Sequence, residues 1–382
     1  MTETKYPRIH LTIDNCFAIK RWIRPREWAR VIKEEIGGIT CVQSSTDIEI
    51  DPQFCPPEYA DRWIEEVRQC EGRYGIRLVG FYSGYVTYRS ASLLNWDKSY
   101  RDRFRDNYIF KTIDLAAEFK ATAGGALQAF SEELLQDPAK FAESEALLLD
   151  YSVQCAEYAG KKNVQYGFEQ MYTPTQGWWR IKDVQKYMSD IYKTSGMPLY
   201  TTIDTAHMAG QSFFYYPTDE QFERLAAAHT AKGFRLPDEM NRMVENGTSL
   251  KELKKAAEKY AYWFSEKGDE DLYKWLEEVS CYSPIMHLQQ TDGSYSSHRP
   301  FTKKYNGNGI VKPREVLKSI VKCYDRESGP DMPPKVKDIY LAFEIFFGIT
   351  DSAEDIISAM KETVAFWREV IREDGKPADH WL

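Results

Sequence analysis

Residues 181–208 read IKDVQKYMSDIYKTSGMPLYTTIDTAHM. The first half has helical spacing from Ile181 to Thr194, and Gly196 closes it. The second half, Leu199 to Asp204, is a short apolar strand that ends on a carboxylate. A helix, a glycine stop and a strand finishing on a charged group make one repeating unit of an α/β architecture.

The same alternation runs outward in both directions. Upstream, strand-like runs fall at Ile9–Ile13, Ile39–Val42, Ile76–Tyr82, Thr122–Phe130 (TAGGALQAF) and Val164–Met171. Helical runs separate them: PREWARVIKEEIGG at 25–38, then Pro57–Arg73, Arg103–Lys120 and Pro138–Lys161. Downstream, Ser283–Gln289 and Val336–Phe343 read as strands, and Pro313–Cys323 and Ser352–Glu373 as helices. Eight strands alternating with helices are most economically closed into a (β/α)8 TIM barrel. An open doubly wound sheet is the competitor, but no glycine-rich dinucleotide fingerprint supports it. One stretch, about 216–281, is longer than a barrel helix requires and contains several helical segments. We expect one barrel domain over 1–382, with a helical insertion there between strands 6 and 7.

Composition narrows the classes. The chain has 382 residues, 43% hydrophobic and 28% charged, with a net charge of −8. That balance opposes a nucleic-acid surface, which needs clustered Lys and Arg. The seven cysteines have no zinc-finger or CxxC spacing and fit a reducing compartment. The opening MTETKYPRIHLTID lacks the apolar core of an export signal, and no run is long and apolar enough to span a membrane. A cytoplasmic enzyme is expected. The aromatic share of 14% supplies packing, and flat rings also suit the apolar faces of sugars.

In a TIM barrel the loops after the strands converge on one mouth, so chemistry is sought at strand C-termini. Four strand ends carry groups an apolar interior does not tolerate: Glu169 in VQYGFEQM, Asp204 in LYTTIDTAHM, His287 in SPIMHLQQTD and Glu344 in IYLAFEIFF. Each alone reads equally well as a solvated carboxylate or a hydrogen-bonded core histidine. Together, at the ends of strands 5, 6, 7 and 8, they imply a cation, because converging buried carboxylates are costly without one. The oxygen-rich set suits one divalent ion, Mn²⁺ first, with Mg²⁺ or Co²⁺ as alternatives. His207, three residues after Asp204, can face the same mouth. The loop TDGSYSSHRPFTKK offers Asp292, His298, Arg299, Lys303 and Lys304, and its basic character points to an anionic substrate group or to an exposed charged loop. Phe17, Trp22, Tyr82, Trp178 and Trp179 follow strands 1, 3 and 5 and are candidates for the pocket wall or for packing.

The motifs FEQM, TIDTAHM, MHLQQTD and AFEI resemble the xylose-isomerase-like sugar isomerase/epimerase superfamily. The resemblance implies a TIM barrel and one divalent metal held by Glu169, Asp204, His287 and Glu344. It implies substrate contacts from His207 and from an arginine beyond strand 7, for which Arg299 is the candidate. Gln289 and His298 complete the expected substrate-binding set. Gln289-Gln290 stands where the family often carries Lys-Asp or Gly-Glu, and the insertion is atypical of small ketose epimerases. The expected activity is isomerisation or epimerisation of a sugar or sugar phosphate, with Glu169 and Glu344 moving the proton beside a carbonyl through an enediolate. The alternative is the catalytic subunit of a C-glycoside deglycosidase acting on an oxidised sugar, with a small β-rich partner. A further alternative is a non-catalytic barrel binding module. A homo-oligomer is expected, with no nucleic-acid or membrane partner.

Overall fold

The structure, a computed structural model, describes residues 4–19 and 21–382; residues 1–3, the start of the stretch read for an export signal, lie outside it. Eight parallel strands close on themselves: β1 (Arg8–Asp14), β2 (Cys41–Ser45), β3 (Arg77–Ser83), β4 (Thr122–Gly125), β5 (Tyr166–Glu169), β6 (Tyr200–Asp204), β7 (Ile285–Leu288) and β8 (Asp338–Phe343). Closure is made by β8 on β1, from Arg8 opposite Asp338 to Ile13 opposite Phe343, and by β1 on β2. Helices between the strands complete a (β/α)8 TIM barrel. A two-residue strand, Lys376–Pro377, adds antiparallel to β1. Among the described residues no helix is long and apolar enough to cross a membrane.

Local signals explain the elements. Helix Pro138–Lys162 starts with Pro at its first turn and with Asp137 accepting from the amides of Ala139 and Lys140. Helix Ile181–Ser195 stops at Gly196, whose φ of +68° is the left-handed cap that glycine adopts freely. Helix Ala353–Arg368 opens on a Ser352/Asp355 capping box. The helices that cover the barrel turn apolar faces inward, and Trp28, Trp63, Trp275 and Trp367 are buried.

Among the boundaries that differ from the sequence reading, two change the architecture. The fourth strand ends at Gly125, not at Phe130, and the remaining residues leave the barrel to pack beneath the loop after β5. Gly124 is required where it stands: a Cβ there would lie 2.6 Å from the carbonyl oxygen of Gly167 and from the ring of Tyr82. Within 216–281, Leu272–Val279 packs on Ile181–Ser195 and Pro313–Asp325 and serves as the barrel's own helix before β7. The extra helices are Asp219–Ala228, Asp238–Glu245 and Leu250–Lys259. This region docks on the loops after β4 and β5: the Tyr260 hydroxyl donates to the carbonyl of Gln136 at 3.0 Å, and that of Tyr262 to the carbonyl of Leu135 at 2.7 Å. The buried Arg180 guanidinium donates to the carbonyls of Ala261 and Phe264, both at 2.8 Å.

A buried carboxyl braces the start of the barrel. Glu49 accepts from Asn15 Nδ2 at 2.6 Å, Trp28 Nε1 at 3.0 Å and Ser44 Oγ at 3.3 Å. Burial pushes its pKa up to about 8, against the pull of these donors. The folded protein therefore binds a proton there that the unfolded chain releases near its ordinary pKa. Stability falls as pH rises from about 4.5 to about 8, by as much as a few kcal/mol at this site. Urea unfolding across that window checks this: the native slope is negative, and Glu49→Gln flattens it.

Candidate active site

The four strand-end residues converge at the C-terminal mouth. Glu169 and Asp204 are the last residues of β5 and β6, His287 lies one residue before the end of β7, and Glu344 follows β8 directly. One ligand atom from each lies within 4.8 Å of every other, and all four side chains are buried. His287 Nδ1 is 2.8 Å from Glu169 Oε1 and 3.1 Å from Glu344 Oε2. Tyr82 packs edge-on against the His287 ring at 4.4 Å.

The electrostatics follow from this crowding. Burial pushes the carboxyl of Glu169 up, opposed by the charge of His287. Glu344 is held well below the usual carboxylate range: burial acts against this, but the charges of His287 and His298 outweigh it. Burial would lower the His287 imidazole, yet the Glu344 and Glu169 carboxylates hold it well above its ordinary value. Asp14, at the end of β1, is pushed up to about 6 by burial and by the charge of Glu344.

The residues present fit a divalent cation. Three carboxylates and one imidazole form a hard, oxygen-rich donor set. Glu344 Oε2 is buried and has no hydrogen-bond donor, only the imidazole nitrogens of His287 and His298 at 3.1 and 3.3 Å.

A second group borders the first: Asp204, His207 and His298 also bring potential ligand atoms within 4.8 Å of one another. His207 Nδ1 donates to the carbonyl of Gln170 at 2.9 Å, which leaves Nε2 facing Asp204 Oδ2 at 3.9 Å. His298 is held in left-handed backbone, φ +49°, and stacks on Phe346 at 3.8 Å. A non-glycine residue in that region is a local strain that the surroundings impose. The half-buried rim above is aromatic: Tyr85 meets Phe346 at 4.7 Å and Tyr172 meets His207 at 5.0 Å.

The other expected residues divide between the site and its surroundings. The Arg299 guanidinium is turned to its own loop, donating to the Tyr295 hydroxyl at 2.8 Å and to Asp292 at 3.4 Å, with the Tyr295 and Tyr305 rings beside it. Gln289 Nε2 lies 2.9 Å from both Asp204 oxygens and from Ser296 Oγ, so its amide orients a carboxylate of the cluster. Gln290 braces Asn306 and Val311. Trp178 packs against Phe168 and Tyr187 in the core, and Trp179 against Phe214. Phe17 is fully buried against the half-buried Trp22.

Three polar residues not singled out in the sequence support the cluster. Asp14 and Gln43 stand behind His287, and Gln128 Nε2 donates to the Glu169 carbonyl at 2.6 Å. Asp14 had a signal: Thr12-Ile13-Asp14 repeats the triplet Thr202-Ile203-Asp204 at another strand end.

The (β/α)8 fold is shared with several solved structures. No family model matches the chain. Among solved structures, a protein of Rhodospirillum rubrum ATCC 11170, provisionally named a xylose isomerase, superposes with a TM-score of 0.68 at 18% identity, covering 94% of this chain and 99% of its own. The 3-keto-D-glucoside 4-epimerase of E. coli gives 0.55 at 11% identity over 95% and 100% of the two chains. D-Psicose 3-epimerase of Clostridium cellulolyticum H10 gives 0.52 at 11% over 95% and 99%. In sequence, 109 residues are 31% identical to D-erythrulose 1-phosphate 3-epimerase of Brucella abortus (strain 2308). That match spans 28% of this chain and about a third, 32%, of the relative.

Proposed function

We propose that the protein is a divalent-metal-dependent sugar isomerase or epimerase that moves a proton on the carbon beside a carbonyl. The observation that carries this reading is the meeting of Glu169, Asp204, His287 and Glu344 within 4.8 Å at the barrel mouth. The sugar epimerases among the structural neighbours share the barrel and support the substrate class. A cation bound there would polarise the substrate carbonyl and make the adjacent C–H more acidic.

The chain's own residues do the rest. Glu169 and Glu344 reach the site from β5 and β8, and both meet Nδ1 of His287. One carboxylate takes the proton from carbon and the other delivers one, through an enediolate. Delivery to the same carbon from the opposite face gives epimerisation; delivery to the neighbouring carbon gives isomerisation. His207, with Nδ1 committed to the Gln170 carbonyl, presents Nε2 to a substrate hydroxyl. The aromatic rim of Tyr85, Tyr172 and Phe346 offers apolar faces to the sugar and limits water at the reacting carbon.

Incubation of the Mn²⁺-loaded protein in D₂O with a panel of ketoses, ketose phosphates and 3-keto-glycosides tests this. Deuterium is expected at the carbon next to the carbonyl of at least one substrate, and none without metal. No incorporation across the panel counts against the reading.

A further inference from the structure

Beside the cluster, at the ends of β1 and β2, lies a buried polar chain. Gln43 sits where the register of β2 on β3 shifts, between Val42 and Gln43, and such an irregularity re-aims a side chain. Its amide nitrogen donates to Asp14 Oδ2 and lies 2.9 Å from His287 Nε2. Asp14 is itself fixed by the Cys16 amide at 2.7 Å and the Ser45 hydroxyl at 2.8 Å. Asp14, Gln43 and His287 are fully buried. The chain thus runs from the end of β1, through β2, to the imidazole on β7.

We propose that Gln43, anchored by Asp14, is a positioning residue that sets the ring orientation and tautomer of His287, and so the affinity of the cluster for its cation. This inference rests on reading the four-residue cluster as a cation site. In the arrangement described, the Gln43 amide nitrogen faces Nε2 at 2.9 Å, and Nδ1 faces Glu169 and Glu344. A ring that offers Nδ1 to a cation must carry its proton on Nε2 and needs an acceptor there. Gln43 can supply it, because its Oε1 is buried and has no partner. Turning the amide over brings that oxygen to Nε2–H and withdraws the N–H that Asp14 accepts. An apolar side chain offers no acceptor at all. A role in packing alone does not explain a buried amide with one end unpaired beside the only imidazole in the four-residue cluster.

Calorimetric titration of Mn²⁺ into the full chain, with melting curves to show folding, tests the proposal without a substrate. Gln43→Leu is expected to weaken binding roughly 10–100-fold, the range seen when a group orienting a metal ligand is removed. The double exchange Asp14→Asn with Gln43→Glu keeps shape and net charge. It gives position 43 an acceptor for Nε2–H and position 14 a donor to hold it, so it is expected to recover most of the lost affinity. Gln43→Met, of nearly the native length, replaces the leucine variant if that one does not fold. Binding by a folded Gln43→Leu or Gln43→Met variant within twofold of native overturns the proposal, as does a double variant no better than the single one. Failure of the native protein to bind Mn²⁺ instead overturns the reading of the cluster, and the proposal with it.

Discussion

Glu169→Gln and Glu344→Gln should each lower deuterium exchange into the substrate by about 10³-fold or more. Removal of a positioned general acid or base costs roughly 10²–10⁴-fold, and each substitution also removes one of the negative charges that would hold the cation. Both carboxylates are buried, and each has an oxygen within 3.1 Å of His287 Nδ1. The two nearby carboxyl groups are already engaged: Asp204 by Gln289 and the amides of Ala206 and His207, and Asp14 by Gln43, Ser45 and the Cys16 amide. The measurement is exchange by mass spectrometry or NMR at saturating metal. Full activity in either variant removes that residue from proton transfer.

The second large effect is on stability. Glu169, Asp204 and Glu344 crowd three carboxyl groups into a site whose nearby cationic candidates are histidines. Without metal, Asp204→Asn removes one buried negative charge but sets an NH2 against the Gln289 amide nitrogen, so the metal-free variant should melt near the native temperature. With Mn²⁺ at about 100 times its dissociation constant, the native protein should gain about 2.7 kcal/mol by linkage. The variant should gain little at the same concentration, and a chelator should return the native protein to its metal-free melting point. A variant stabilised as strongly as native would show that Asp204 does not hold the ion.

The legible part of the fold is its alternation. A strand ending on a carboxylate after an apolar run identifies itself, because a charge cannot be buried there unless another group pairs with it. Glu169, Asp204 and Glu344 are legible in that way. The fourth strand reads too long because no charge or proline interrupts TAGGALQAF; only the strand pairing shows that the ladder ends at Gly125. Gln43 and Gln128 are not legible. A neutral amide carries no charge signature, and Gln43 meets His287 across 244 positions of sequence. Arg299 misleads for another reason. The sign of a loop's charge does not fix its direction, and Asp292 and Tyr295 in the same loop claim the guanidinium. With Arg299 turned away, its presence gives no support to phosphate recognition, so phosphorylated and unphosphorylated ketoses belong side by side in the substrate panel.

The most direct test is a crystal of the native protein soaked in Mn²⁺ and measured for anomalous scattering at the manganese edge. The account predicts a single strong peak bonded to Glu169, Asp204, Glu344 and Nδ1 of His287. A cluster that remains empty in saturating Mn²⁺, or manganese bound only away from these four side chains, would contradict it.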